Sequence, residues 1–82
     1  MGRAKRLRPK HLGKKLKQIR EILELSQVGM AEALDFQTVH PTNISGYELG
    51  KREPPYPVLL KYAKLVGVST DVLIDDKLSL KL

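Results

Sequence analysis

The run Ile44-Ser-Gly-Tyr-Glu-Leu-Gly-Lys-Arg52 constrains this chain more tightly than any other stretch. At about 100° per residue, a helix over Pro41 to Leu49 sorts cleanly into two sides. Ile44, Tyr47 and Glu48 point one way; Thr42, Ser45, Gly46 and Leu49 point the other, with Asn43 on the flank. Pro41 suits the first helical position, where its missing N–H costs nothing, and Gly50 suits a left-handed C-terminal cap. A helix this short, with one narrow apolar side, must be held by neighbours. Its Glu48 must also find a partner, because an unpaired carboxylate on an inward face is costly.

The rest of the chain supplies those neighbours. Leu12, Leu16, Ile19 and Leu23 recur at i, i+4, i+7 and i+11, which predicts a first helix from Leu12 to about Glu24. Arg20 lies at the edge of that stripe and is the expected partner of Glu48. Ser26 is a good N-cap for a second helix over Gln27 to Leu34 that buries Met30, Ala31 and Leu34. Asp35 to His40 reads as a connector, with Phe36 and Val39 packing beneath it. Pro54, Pro55 and Pro57 make a stiff crossing to a fourth helix that starts at Pro57, buries Leu59, Tyr62, Ala63 and Val66, and ends at Gly67. Ser69 can cap a short fifth helix with Asp71 in its first turn and Val72 and Leu73 inward. The expectation is an all-α, compact five-helix bundle over residues 12 to 75, with a flexible basic arm before it and a tail at residues 76 to 82.

At 82 residues the chain has room for one domain of marginal core size, and it has no cysteine for a disulfide or thiolate metal site. Its formal charge of +6 is unevenly spread. Nine of the fifteen Lys and Arg fall within residues 1 to 20, where there is no Asp or Glu. An arm carrying Arg3, Lys5, Arg6, Arg8 and Lys10 suits a polyanionic partner. No apolar run is long enough for a membrane span, the basic start lacks the apolar core of a secretory signal, and Arg6 stands where a myristoylation signal needs Ser or Thr. A cytoplasmic location is expected.

The outward side of the Pro41 to Leu49 helix is short, polar and almost free of apolar groups. Entry into a DNA major groove requires such a surface, and Asn can bond bidentately to adenine. Gln27, at the start of the second helix, and Lys51 and Arg52, just past the third, stand where phosphates on either side could be held. With Arg20, Leu25-Ser26-Gln27, Ala31-Glu32, Ile44-Ser45, Glu48, Gly50-Lys51-Arg52, Pro54 and Leu65 to Ser69, the run from Leu12 to Asp75 resembles the helix-turn-helix domain of the xenobiotic response element family, which includes Cro and the lambda-type phage repressors.

That resemblance implies double-stranded DNA as the partner, a transcriptional regulator of repressor type, and binding as a homodimer. By position it implies base reading by Pro41, Thr42, Ser45 and Gly46, with Asn43 nearby, and phosphate contacts from Ser26, Gln27, Lys51 and Arg52. It also implies an Arg20 to Glu48 internal pair, and a small Ala31 where the two motif helices cross. Two departures stand out. Ala31 and Ile44 lie farther apart than the family's usual spacing, so the turn at residues 35 to 40 is expanded and brings Gln37, Thr38 and His40 within reach of DNA. Asp35 also occupies a position where the family commonly has Gly.

Other functions are less well supported by the residues. Leu78, Leu80 and Leu82 alternate with polar residues and could add a strand to a partner protein, as an antitoxin-like interaction module would. An enzyme is not expected: there is no phosphate loop, no nucleophile with a base beside it and no metal-binding spacing, and no cofactor is implied.

Overall fold

The computed structural model describes residues 9–81, and within them there are five helices and no strand. They are α1 (Leu12–Ile22), α2 (Gln27–Leu34), α3 (Pro41–Glu48), α4 (Tyr56–Val66) and α5 (Thr70–Ile74). Each helix sends at least one fully buried side chain into a common core: Leu16 and Ile19 from α1, Met30 and Leu34 from α2, Ile44 from α3, Tyr62 from α4 and Leu73 from α5. Burying a side chain of this size is worth about 1.5–3 kcal/mol. Helix α1 runs through the middle and packs on α3, α4 and α5.

Backbone handedness sets the helix ends. Residues just past α1, α2, α3 and α4 adopt positive φ: Glu24 (58°), Asp35 (61°), Gly50 (75°) and Gly67 (72°). At three of these ends the same bond pattern closes the helix, with Leu25 N–H donating to Arg20 O, Lys51 N–H to Gly46 O and Val68 N–H to Ala63 O. This six-to-one closure satisfies carbonyls that the helix leaves unpaired. Helix α1 therefore stops at Ile22, two residues before the expected end, because Glu24 itself takes the left-handed turn. Asp35, in the position where the family commonly has Gly, adopts the conformation that favours Gly.

Helix α4 begins at Tyr56, one residue earlier than expected, with the Pro55 carbonyl accepting from Val58 and Leu59 N–H at 3.0 and 3.1 Å. Pro57 is tolerated in this first turn because its N–H would have no intrahelical acceptor. Val58 joins Leu59 in the core, and Val66 is only partly buried. Helix α3 stops at Glu48, with Leu49 as its cap.

Three contacts fix the N-terminal half of α1. At its N-terminal half, α1 presses against the end of α3 so closely that a Cβ on Gly13 would lie 2.6 Å from the Glu48 carbonyl oxygen. On another side, the Lys15 ammonium is buried and donates to the carbonyls of Val72 and Asp75 at 2.8 and 2.9 Å, where α5 ends. Asp76 answers in the opposite sense. Its two carboxylate oxygens accept from the backbone N–H of Lys10 and His11 at 2.9 and 3.0 Å, at the start of α1. Each charge thus meets the complementary end of a helix dipole.

The tail differs from the free leucine strand considered above. Asp75 turns it back, accepting from Lys77 N–H with its side chain and from Leu78 N–H with its carbonyl. Leu80 then packs against the core while Leu78 remains exposed, and Leu82 lies outside the described residues.

Candidate nucleic-acid interface

Between α2 and α3 the six-residue connector is pinned by burial rather than left loose. Val39 is in the core, Phe36 packs against it, and Val39 N–H donates to Phe36 O at 3.1 Å. Gln37, Thr38 and His40 are left exposed. Helix α3 follows with Ile44 and Tyr47 buried, Thr42 exposed, and Pro41, Asn43, Ser45 and Gly46 partly exposed. Its outward side ends in Leu49, 65% exposed.

The polar residues of this surface differ in how free they are. Asn43 Oδ1 accepts from His40 N–H at 2.8 Å, so this side chain holds the first turn of α3 while its amide nitrogen stays available for another contact. An acceptor three residues past the N-cap is a recognised capping signal, usually Glu or Gln, and here Asn fills it. Among the described residues, Thr42 and Ser45 have no such tie. A Cβ on Gly46 would lie 3.1 Å from the aliphatic stem of Arg52, an exposed side chain that can shift by a few tenths of an ångström. Lys51 and Arg52 N–H both turn back to the Gly46 carbonyl, at 2.9 and 3.2 Å, which folds these two exposed cations against the end of α3.

At the start of α2, Ser26 Oγ accepts from Gly29 N–H at 3.0 Å as the N-cap. Gln27 Nε2 lies 3.4 Å from Glu48 Oε1, directed toward α3. Glu48 is the hub of this region. Arg20 Nε donates to its Oε2 at 2.6 Å and Arg20 Nη2 to its Oε1 at 3.1 Å, a two-pronged pair with side-chain exposures of 16% and 5%. Arg20 Nη1 also donates to Leu25 O at 3.0 Å. One guanidinium therefore ties α1, the turn before α2 and α3 together. The hydrogen bond to Glu48 raises the Arg20 pKa against an opposing effect of burial. Behind it, burial and then the nearby Glu48 push the Tyr62 phenol far up, and its hydroxyl has no hydrogen-bond partner among the described residues.

Two shallow grooves connect these pieces. One of about 330 Å³ brings Thr38, Asn43 and Arg52 to a common wall. Another of about 410 Å³ lies between Pro9 to Lys14 and the end of α3, with Lys10, Lys14, Arg52, Glu48 and Glu53 among its lining residues. Residues 9–11 thus share this groove with Gly50 and Arg52 at the end of α3. Arg3, Lys5, Arg6 and Arg8 lie outside the described residues. Among the described residues no cluster of His, Asp and Glu could hold a metal ion, and no helix is long and apolar enough to cross a membrane.

Residues 13–78 match the family model described as a helix-turn-helix domain. The chain belongs to the helix-turn-helix family of xenobiotic response element and lambda-repressor type. Within this family, the SPbeta prophage-derived uncharacterised HTH-type transcriptional regulator YonR of Bacillus subtilis (strain 168) is 39% identical over 62 residues, covering 76% of this chain and 55% of the relative. The chain spans about half the length of that curated relative. The fold also matches the P22 c2 repressor, in a crystal structure with a synthetic operator, at a TM-score of 0.68 and 25% identity, covering 79% of this chain and 94% of that one. The family match extends past α5 to include Asp76.

Proposed function

We propose that this chain is a sequence-specific, double-stranded DNA-binding transcriptional regulator, a repressor, that reads the major groove with α3. The observation that carries this reading is the short polar side of α3 standing next to the exposed Lys51 and Arg52, in a domain whose fold matches an operator-bound repressor. Thr42 and Ser45 are the side chains free to meet base edges, with Pro41 and Gly46 allowing close approach and Asn43 offering its amide nitrogen. Lys51 and Arg52 hold phosphate on one side of the helix. Ser26 and Gln27, at the positive end of α2, hold it on the other. Gln37, Thr38 and His40 extend the surface along the expanded turn, and Arg3, Lys5, Arg6, Arg8 and Lys10 follow the backbone or enter the neighbouring minor groove.

With no Arg, Lys or Gln on α3, base discrimination by this helix alone is modest, and DNA shape and phosphate contacts carry a large share of affinity. A homodimer on two half-sites about 34 Å apart supplies the remaining specificity. Selection from a random DNA pool at two salt concentrations tests this. An enriched palindrome is expected, with affinity falling steeply as salt rises. Absence of binding even at low salt would refute the reading, and salt-sensitive binding without a consensus would reduce it to a sequence-independent DNA binder.

A further inference from the structure

We propose that Asp76 is a positioning residue for the basic N-terminal arm: its carboxylate fixes the place and direction in which the arm leaves the domain. The inference rests on the DNA-binding reading above and adds a residue with no direct contact to DNA.

The geometry is specific. Asp76 grips two consecutive backbone N–H groups, those of Lys10 and His11, across a sequence separation of more than sixty residues. Among the described residues, no acidic residue in the first turn of α1 and no side-chain bond at its N-cap duplicates this contact. Asp76 is itself held in place from behind. The buried Lys15 ammonium binds the carbonyl of Asp75, the preceding residue, and the Asp75 turn leads into Leu80, which packs on the core. Residues 9–11 are thereby laid along the groove that faces the end of α3 and Arg52. That groove is lined by Lys10, Lys14 and Arg52 together with Glu48 and Glu53.

A clasp of this kind raises affinity by restricting where the arm searches, so that its cations meet phosphate at a high effective concentration. Electrostatics alone predicts the reverse effect. Asp76 is an exposed negative charge beside the root of a DNA-binding arm, and deleting it should strengthen binding to a polyanion. The sign of the change therefore separates positioning from simple charge.

The test uses the full chain and a fluorescent mixed-sequence DNA duplex, titrated across a range of salt. Asp76→Ala is expected to weaken binding by about tenfold at low salt, with a slope that falls by about 0.9 for each phosphate contact the arm gives up. Asp76→Asn, which keeps one acceptor oxygen, should give an intermediate loss. In a chain lacking residues 1 to 8, neither substitution should change affinity further. Amide exchange at Lys10 and His11 reports loss of the clasp, and a thermal melt reports the fold. Unchanged or tighter binding by Asp76→Ala, while wild type binds, overturns the positioning role alone. An equal loss with and without the arm also overturns it, leaving only a structural contact. Failure of the wild-type chain to bind the duplex overturns the DNA-binding reading and this inference with it.

Discussion

Helix α1 is held by charge at two joints that work in different ways. Toward α3, a side chain meets a side chain: Arg20 and Glu48 form a two-pronged pair shielded from solvent. Toward α5, side chains meet backbone: Lys15 caps the carbonyls that end α5, and Asp76 holds the N–H groups of Lys10 and His11 just before α1. The first joint sets how α3 stands on the rest of the domain. The second sets how the two termini of the domain meet. Buried ion pairs gain little over an apolar substitute but lose much when one partner is removed. Charge-to-backbone caps draw on groups that every helix end leaves unsatisfied, so their loss costs less.

The sharpest way to break this comparison is at Glu48. Glu48→Gln leaves the Arg20 guanidinium shielded and without its counter-charge, and should lower stability by about 3 kcal/mol in a denaturant melt. The double variant Arg20→Met with Glu48→Leu should recover most of that loss, since neither charge then needs compensation. A Glu48→Gln protein that melts like wild type would show that solvent, rather than the pair, satisfies Arg20. At the other joint, Lys15→Met keeps the aliphatic stem but leaves the Val72 and Asp75 carbonyls without their donor. Its expected cost is about 1–3 kcal/mol, accompanied by faster amide exchange in α5. A cost above that of Glu48→Gln would reverse the ranking of the two joints.

The same contrast explains what could be read from the residues alone. The Arg20 and Glu48 pair was legible because both partners are charged side chains on periodic faces, each needing an opposite charge. The joint to α5 was not, because a lysine that binds carbonyls has no partner residue in the sequence, and Lys15 reads as one more cation of the basic segment. Helix ends follow a similar rule. Gly50 and Gly67 mark left-handed turns by their identity, whereas Glu24 adopts the same backbone region without any such mark. The expected end of α1 was therefore too late, and the buried face expected for α4 did not include Val58. The polar side of α3 was visible as a surface. That Asn43 spends its oxygen on His40, and that Gly46 lies under Arg52, depends on contacts that only the folded turn creates.

Acid should act on the α5 joint before wider unfolding. Hydrogen bonds from Lys10 and His11 hold the Asp76 carboxyl below its usual range. A carboxyl whose pKa is lowered by folding contributes stability above its unfolded value, and that contribution is lost as pH falls through the folded value. The difference in melting temperature between wild type and Asp76→Asn should thus be present near neutrality and shrink below about pH 4. A gap that stays constant down to pH 2 would mean that the clasp does not depend on the ionised carboxylate.

The smallest expected effect probes how complete the α3 joint already is. Tyr62 is fully buried beside Glu48, yet its hydroxyl has no hydrogen-bond partner among the described residues. Arg20, Gln27 and the Leu25 carbonyl supply the polar contacts around the pair without it. Removing a buried hydroxyl that makes no bond relieves a desolvation cost, so Tyr62→Phe should be neutral or stabilising by up to about 1 kcal/mol. A loss of 1 kcal/mol or more, about the net worth of one hydrogen bond, would place the hydroxyl in a bonded network with Glu48. In that case, combining Tyr62→Phe with Glu48→Gln should cost less than the two changes summed, since groups in one network are not additive. Additive costs would confine the joint to Arg20, Glu48 and their immediate partners, with Tyr62 contributing only its ring.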